Sequence, residues 1–182
     1  VFAGYMRGEE YTFVFGLAPD LTFTLRVDKL GLFFAALSAV LWLVTTLYAI
    51  GYLEGGQYRR RFFAFFSLCV TASTGIALAG NVITFFIFYE FLTLSTYPLV
   101  VHRGTDKAVN AGRTYLWYTI GGGTVLFLGV VGLFVIAGPI YFGQTEIISG
   151  LFAEKPTQLT ILFFLMLAGL GVKAALFPLH SW

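Results

Sequence analysis

The sequence predicts an all-α integral membrane protein of five transmembrane helices with a short N-terminal β-hairpin. Three observations carry that expectation. Of the 182 residues, 58% are apolar and only 11% charged, where soluble domains carry about 25% charged residues. Five apolar runs are each long enough to cross a hydrocarbon core about 30 Å thick, which takes about 20 residues at 1.5 Å rise each. Ahead of the first run the period of the pattern changes from helical to alternating. A net charge of +2, with no basic block beyond Arg59, Arg60 and Arg61, excludes a nucleic-acid partner of the usual basic kind, and the apolar excess excludes a disordered chain.

In chain order, Tyr11–Phe15 and Leu21–Val27 read as two strands about a Gly16/Pro19/Asp20 turn. Leu21, Phe23, Leu25 and Val27 alternate with Thr22, Thr24, Arg26 and Asp28, the period of a half-buried strand, here lying on the membrane surface. Residues 1–29 are therefore expected to form an extracytoplasmic segment and residues 30–182 a transmembrane domain. The spans read as Leu30–Leu53, Phe62–Ala79, Val82–Val101, Thr114–Ala137 and Leu159–Leu179. Only Gly80 and Asn81 separate the second from the third, so these two form a tight helical hairpin. Pro98 and Gly121, Gly122 and Gly123 fall inside spans, where lipid-embedded helices tolerate them. The lone Cys69 lies in an apolar run and reads as a small core hydrophobe. Val1 follows no signal-peptide pattern and Trp182 closes an apolar stretch, so the expectation is a piece of a longer protein.

Orientation follows from the basic residues. Arg59, Arg60, Arg61, Arg103, Lys107 and Arg113 share one side, and Arg7, Arg26, Lys29 and Lys155 the other. The positive-inside rule puts the first group in the cytoplasm, so the amino end is outside and the carboxyl end inside.

That census leaves one acid and one base over, Glu90 and Lys173. Glu90 lies roughly 13 Å along its span and Lys173 roughly 21 Å along its own. A charge at the centre of a spanning helix costs on the order of 2.5–3.5 kcal/mol, so such groups pair or line water and mark ion or proton paths by default. Snorkelling of Lys173 and a salt bridge that only fixes helix packing are the plainer alternatives. Thr93 and Tyr97 share the helical face of Glu90, where their hydroxyls would serve a carboxylate or water. Pro178 removes the bond to the Ala174 carbonyl and should bend the last span there. His102, at the cytoplasmic edge, reads as solvated, and the role of His180 is open. No cysteine cluster, paired histidine or phosphate loop is present in the sequence, and neither cofactor nor metal is expected.

Two strings carry a resemblance. Asn81–His102 (NVITFFIFYEFLTLSTYPLVVH) and Gly169–Trp182 (GLGVKAALFPLHSW) resemble the fifth and seventh transmembrane helices of the antiporter-like subunits shared by respiratory complex I, membrane-bound hydrogenases and Mrp-type multisubunit cation/proton antiporters. RFFAFF, followed by HRGTDKAVNAGRTYL, is similar to the D-type member of the Mrp antiporters, and Ala175, where complex I members often carry proline, favours that branch. The resemblance implies that Glu90 and Lys173 are the family's proton-transfer pair. It also implies a fold of about 14 helices in two inverted repeats, of which this chain resembles helices three to seven, an incomplete first repeat. The implied partners are other membrane subunits of a hetero-oligomeric complex, the lipid bilayer, protons and a monovalent cation, in a bacterial or archaeal cell membrane. The implied function is a proton-translocating antiporter subunit; the alternative is the proton-pumping membrane subunit of a complex I-like oxidoreductase or a hydrogenase.

Overall fold

The computed structural model describes residues 4, 5, 7, 9–56 and 58–180. Strands β1 (Thr12–Ala18) and β2 (Leu21–Arg26) precede the helices α1 (Lys29–Tyr52), α2 (Arg59–Ala77), α3 (Val82–Val100), α4 (Asp106–Ala137), α5 (Thr145–Glu154) and α6 (Pro156–Lys173). The last two residues of the resembling C-terminal string, 181 and 182, lie outside the described residues.

Four of these helices, α1, α3, α4 and α6, are long and apolar enough to cross a membrane. The second expected span, α2, forms as a helix of 19 residues but is not among them. Three arginines open it, and Ser67, Thr71, Ser73 and Thr74 interrupt its apolar run.

Side chains set where several helices start. Asp28 Oδ1 accepts from Gly31 N at 2.6 Å to cap α1, and Asn81 Oδ1 accepts from Thr84 N at 2.8 Å to cap α3, each satisfying a donor the first turn leaves over. Thr105 Oγ1 accepts from Ala108 N at 3.2 Å, so α4 begins at Asp106, eight residues before the expected Thr114. Its 32 residues reach roughly 48 Å, which carries Lys107 and Arg113 out on a helical extension rather than a loop. Helix α5 also goes beyond the sequence reading. Ten residues are too few to span, and Ile147, Ile148, Leu151 and Phe152 place its apolar positions at helical spacing.

The hairpin forms antiparallel, Thr12 opposite Arg26 and Phe15 opposite Phe23, with an irregularity between Gly16 and Ala18. Its turn is at Pro19 and Asp20 alone, with Asp20 at a φ of 63°, a left-handed position that aspartate tolerates. Gly16 belongs to the strand. The face reading is corrected: Thr24, on the polar side, is the most buried residue of β2 at 1% exposure. It turns inward because the edge of β2 continues onto the α2–α3 turn. Arg26 N donates to Leu78 O and Gly80 N to Thr24 O, both at 2.8 Å, and Phe142 N donates to Gly80 O at 2.9 Å. The backbone hydrogen bonds of these loops are thus made to one another.

At the opposite end Arg61 donates to the carbonyl oxygen of His102 at 2.9 Å, so the two arginine-bearing connections share one end of the bundle. Between the ends, Tyr89, Leu126 and Val130 form the centre of the core, with Met166 and Leu170 of α6 packed against them.

The last expected span is corrected. Helix α6 ends at Lys173, before Pro178 can bend it. Ala175 N donates to Val172 O at 3.2 Å and Leu176 N to Gly171 O at 2.9 Å, the paired bonds of a Schellman stop. Ala175 supplies the left-handed residue at a φ of 52°. Lys173 is therefore the terminal residue of its helix, at the negative end of the helix dipole.

Candidate functional site

Helices α3, α4 and α6 meet where Glu90 and Lys173 project. Helices α4 and α6 touch backbone to backbone: a Cβ on Gly169 would stand 2.7 Å from Leu126 N and 2.8 Å from Gly122 O. Small residues at a lipid-embedded interface permit this approach, which dispersion and tight packing then stabilise. Val172, the neighbour of Lys173, fills the space that Gly122 leaves, and a Cβ on Gly122 would fall 2.7 Å from Val172 Cγ2.

Gly123 does the same for the acid. A Cβ there would overlap Glu90 Oε1 and stand 3.1 Å from Oε2. The carboxylate is seated against bare α4 backbone, in room that any side chain would take. Glu90 Oε1 is buried and accepts no hydrogen bond among the described residues.

Lys173 comes to the same place from α6, but not into a hydrogen-bonded pair with the acid. Its Nζ donates to the backbone oxygen of Tyr89 at 2.5 Å and lies 3.4 Å from the centroid of the Tyr89 ring. The Tyr89 hydroxyl donates to Gly169 O at 3.2 Å. The acid and the residue that receives the base are therefore consecutive on α3, with Tyr89 holding the Lys173 ammonium next to Glu90.

The expected helpers differ. Thr93 shares the buried interior, at 1% exposure, but its hydroxyl donates to Tyr89 O of its own helix at 3.2 Å, the usual retreat of a threonine within a helix. Tyr97 lies beside Gly112, where a Cβ would stand 3.0 Å from its ring. His102 is half-buried with Nδ1 shielded and its ring edge-on to Phe62, not freely solvated. His180 is exposed and stacks on Phe177. Cys69 is buried, as expected of a core thiol, with its sulfur 3.7 Å from Thr96 Oγ1. Thr96 Oγ1 donates to Leu92 O of its own helix at 2.7 Å.

Sequence reasoning missed Tyr89 and Gly123. A signal existed for both: Tyr89 is next to the intramembrane acid, and three consecutive glycines in an apolar helix announce a close approach. No metal-binding cluster of acids, histidines or cysteines occurs among the described residues.

The comparisons define the class. A family model described as NADH:quinone oxidoreductase/Mrp antiporter, TM, matches residues 79–182, more than half of the chain and both charged positions. The chain belongs to this family of membrane-embedded antiporter-like subunits. It is 31% identical over 180 residues to NADH-quinone oxidoreductase subunit N of Desulforudis audaxviator (strain MP104C), covering 97% of this chain and 36% of that relative. Its fold is similar to a chain of the membrane-bound sulfane sulfur reductase, an archaeal respiratory membrane complex, with a TM-score of 0.77 at 22% identity over 98% of this chain and 36% of that one. It is also similar to a chain of the Mrp complex from Dietzia sp. DQ12-45-1b, with a TM-score of 0.68 at 24% identity over 94% of this chain and 32% of that one. The chain spans about a third of the length of these relatives.

Proposed function

We propose that this chain is the first-repeat part of a proton-translocating subunit of an Mrp-type multisubunit cation/proton antiporter, with Glu90 and Lys173 carrying the proton. The observation that supports this most is the state of Glu90. Its buried Oε1 has no hydrogen-bond partner among the described residues, so its accepting capacity is left for something mobile, a proton or a water. Lys173 reaches the same junction from the end of α6, where the helix gives way to irregular backbone, an arrangement tolerated at membrane depth where it is buried in protein or lines a cavity.

In this reading α2 is a fifth crossing. It is antiparallel to α3 across the short connection 78–81, and about 28 Å of helix nearly matches the hydrocarbon core. The arginine-bearing end faces the cytoplasm and the hairpin lies outside, on the surface of a prokaryotic cell membrane. A cysteine at position 107 should then react with an impermeant thiol reagent only after the cells are opened; labelling from outside would reverse the topology. The partners are other membrane subunits, and the coupled ion is a monovalent cation.

The identity to a subunit named for NADH-quinone oxidoreductase favours the second reading, a proton-pumping subunit of a complex I-like or hydrogenase assembly. The subunits that co-purify separate the two, antiporter subunits in one case and redox subunits in the other.

The decisive variant for the chemistry is Glu90→Gln, which keeps shape and hydrogen bonding but cannot titrate. In the intact complex it should lower proton flux by about 100-fold or more while subunit levels stay near normal. Undiminished flux would remove Glu90 from the mechanism.

A further inference from the structure

A relay between Glu90 and Lys173 gives no role to the residue that the geometry puts between them. Among the described residues the Lys173 ammonium meets the Tyr89 carbonyl oxygen at 2.5 Å and the Tyr89 ring face at 3.4 Å from its centroid. Both belong to one side of one residue, the covalent neighbour of the acid. The ring is fixed by the bond from its hydroxyl to Gly169 O at 3.2 Å, one turn before Lys173 on α6. Tyr89 is 6% exposed, and a cation held over a desolvated ring is bound more strongly than over an exposed one.

This arrangement solves a problem that a bare acid and base would have. In a dry site an ammonium and a carboxylate in contact hold each other in the charged form, and breaking the pair is expensive. A proton carrier must leave that form in every cycle. A carbonyl dipole and a π face hold an ammonium without a counter-charge, so neither group locks the other.

We propose that Tyr89 is a positioning residue, a perch whose ring and carbonyl hold the Lys173 ammonium off Glu90 and keep the two charges exchangeable. This rests on the reading of Glu90 and Lys173 as the proton-carrying groups. When the perch is weakened the ammonium falls onto the carboxylate, the pair locks and turnover slows.

The ring's electrostatics can be varied at nearly constant shape. Tyr89 is replaced by phenylalanine and by phenylalanines carrying increasing numbers of ring fluorines in the intact complex, reconstituted in vesicles. Proton flux and subunit assembly are measured beside Glu90→Gln, Lys173→Met and Tyr89→Leu. Tyr89→Phe, which loses the bond to Gly169 O, is the reference for the series: relative to it each added fluorine should lower flux, and the fully fluorinated ring and Tyr89→Leu should each lose about thirtyfold, the range of a desolvated cation–π contact. Assembly should not follow the fluorine count. Flux indifferent to fluorination while Glu90→Gln and Lys173→Met are inactive would overturn the perch and leave the relay standing. Undiminished flux in Glu90→Gln and Lys173→Met would overturn the relay beneath it. If Tyr89→Leu fails to assemble, the fluorinated series decides alone, since those side chains keep the ring in place.

Discussion

Helix α3 begins and continues in two opposite ways. At its start, Thr24, Asn81 and Thr84 are all buried and all spoken for. Asn81 caps the helix at 2.8 Å and donates to Thr22 O at 2.9 Å, while Thr84 Oγ1 accepts from Thr24 N at 2.8 Å. Further along, Glu90 and Ser95, and His102 just past the helix end, each bury a polar side-chain atom that has no hydrogen-bond partner among the described residues. Satisfied polar groups fix a unique arrangement, whereas an unsatisfied buried one is a cost that structure alone does not repay. The first region is architecture holding the hairpin to the helices; the second, under the proposed function, is where Glu90 keeps accepting capacity for a proton or a water.

That contrast can be broken from either side. The larger effect belongs to Gly123. A methyl group there would overlap Glu90 Oε1 and must push the carboxylate away, and displacement of a reacting group by about 1 Å costs on the order of 100-fold in rate. Gly123→Ala should therefore lower proton flux by about ten- to a hundredfold. Gly121→Ala, where a Cβ meets nothing within 4 Å, should leave flux unchanged. Equal flux in the two variants would detach the acid's seat from function.

The smaller effect belongs to the satisfied end. Asn81→Ala removes the cap of α3 and the bond to the hairpin, a loss of about 1–3 kcal/mol. Thermal stability of the complex should fall while flux per assembled complex stays the same. A flux defect with unchanged stability would mean the hairpin end takes part in transport.

Much of this was legible in the sequence, for reasons particular residues show. Charge against an apolar background singled out Glu90 and Lys173, because in hydrocarbon each charge must be accounted for. Asn81 and the short connection before it announced the α2–α3 hairpin, and alternation announced β1 and β2. What periodicity could not show was competition between nearby groups. Pro178 looked like the feature that disturbs the last helix, yet the stop comes earlier, from the Schellman bonds around Ala175, a residue with no turn signature of its own. Thr93 looked like a partner for the acid, but its own backbone was closer. Tyr89 looked like one more aromatic among 21 phenylalanines and 10 tyrosines, and only the packing of α6 against α3 puts an ammonium on its ring. Thr24 looked solvent-facing until the α2–α3 turn lay beside β2.

The central claim is that the acid and base at the α3, α4 and α6 junction carry protons rather than glue helices. Removing one of the two leaves the other charge uncompensated at the junction, a penalty that removing both relieves. The double variant Glu90→Gln with Lys173→Met should thus assemble in the intact complex at least as well as either single variant, and its proton flux should be at background. Flux recovered in the double variant would contradict the claim and make the two residues a structural pair.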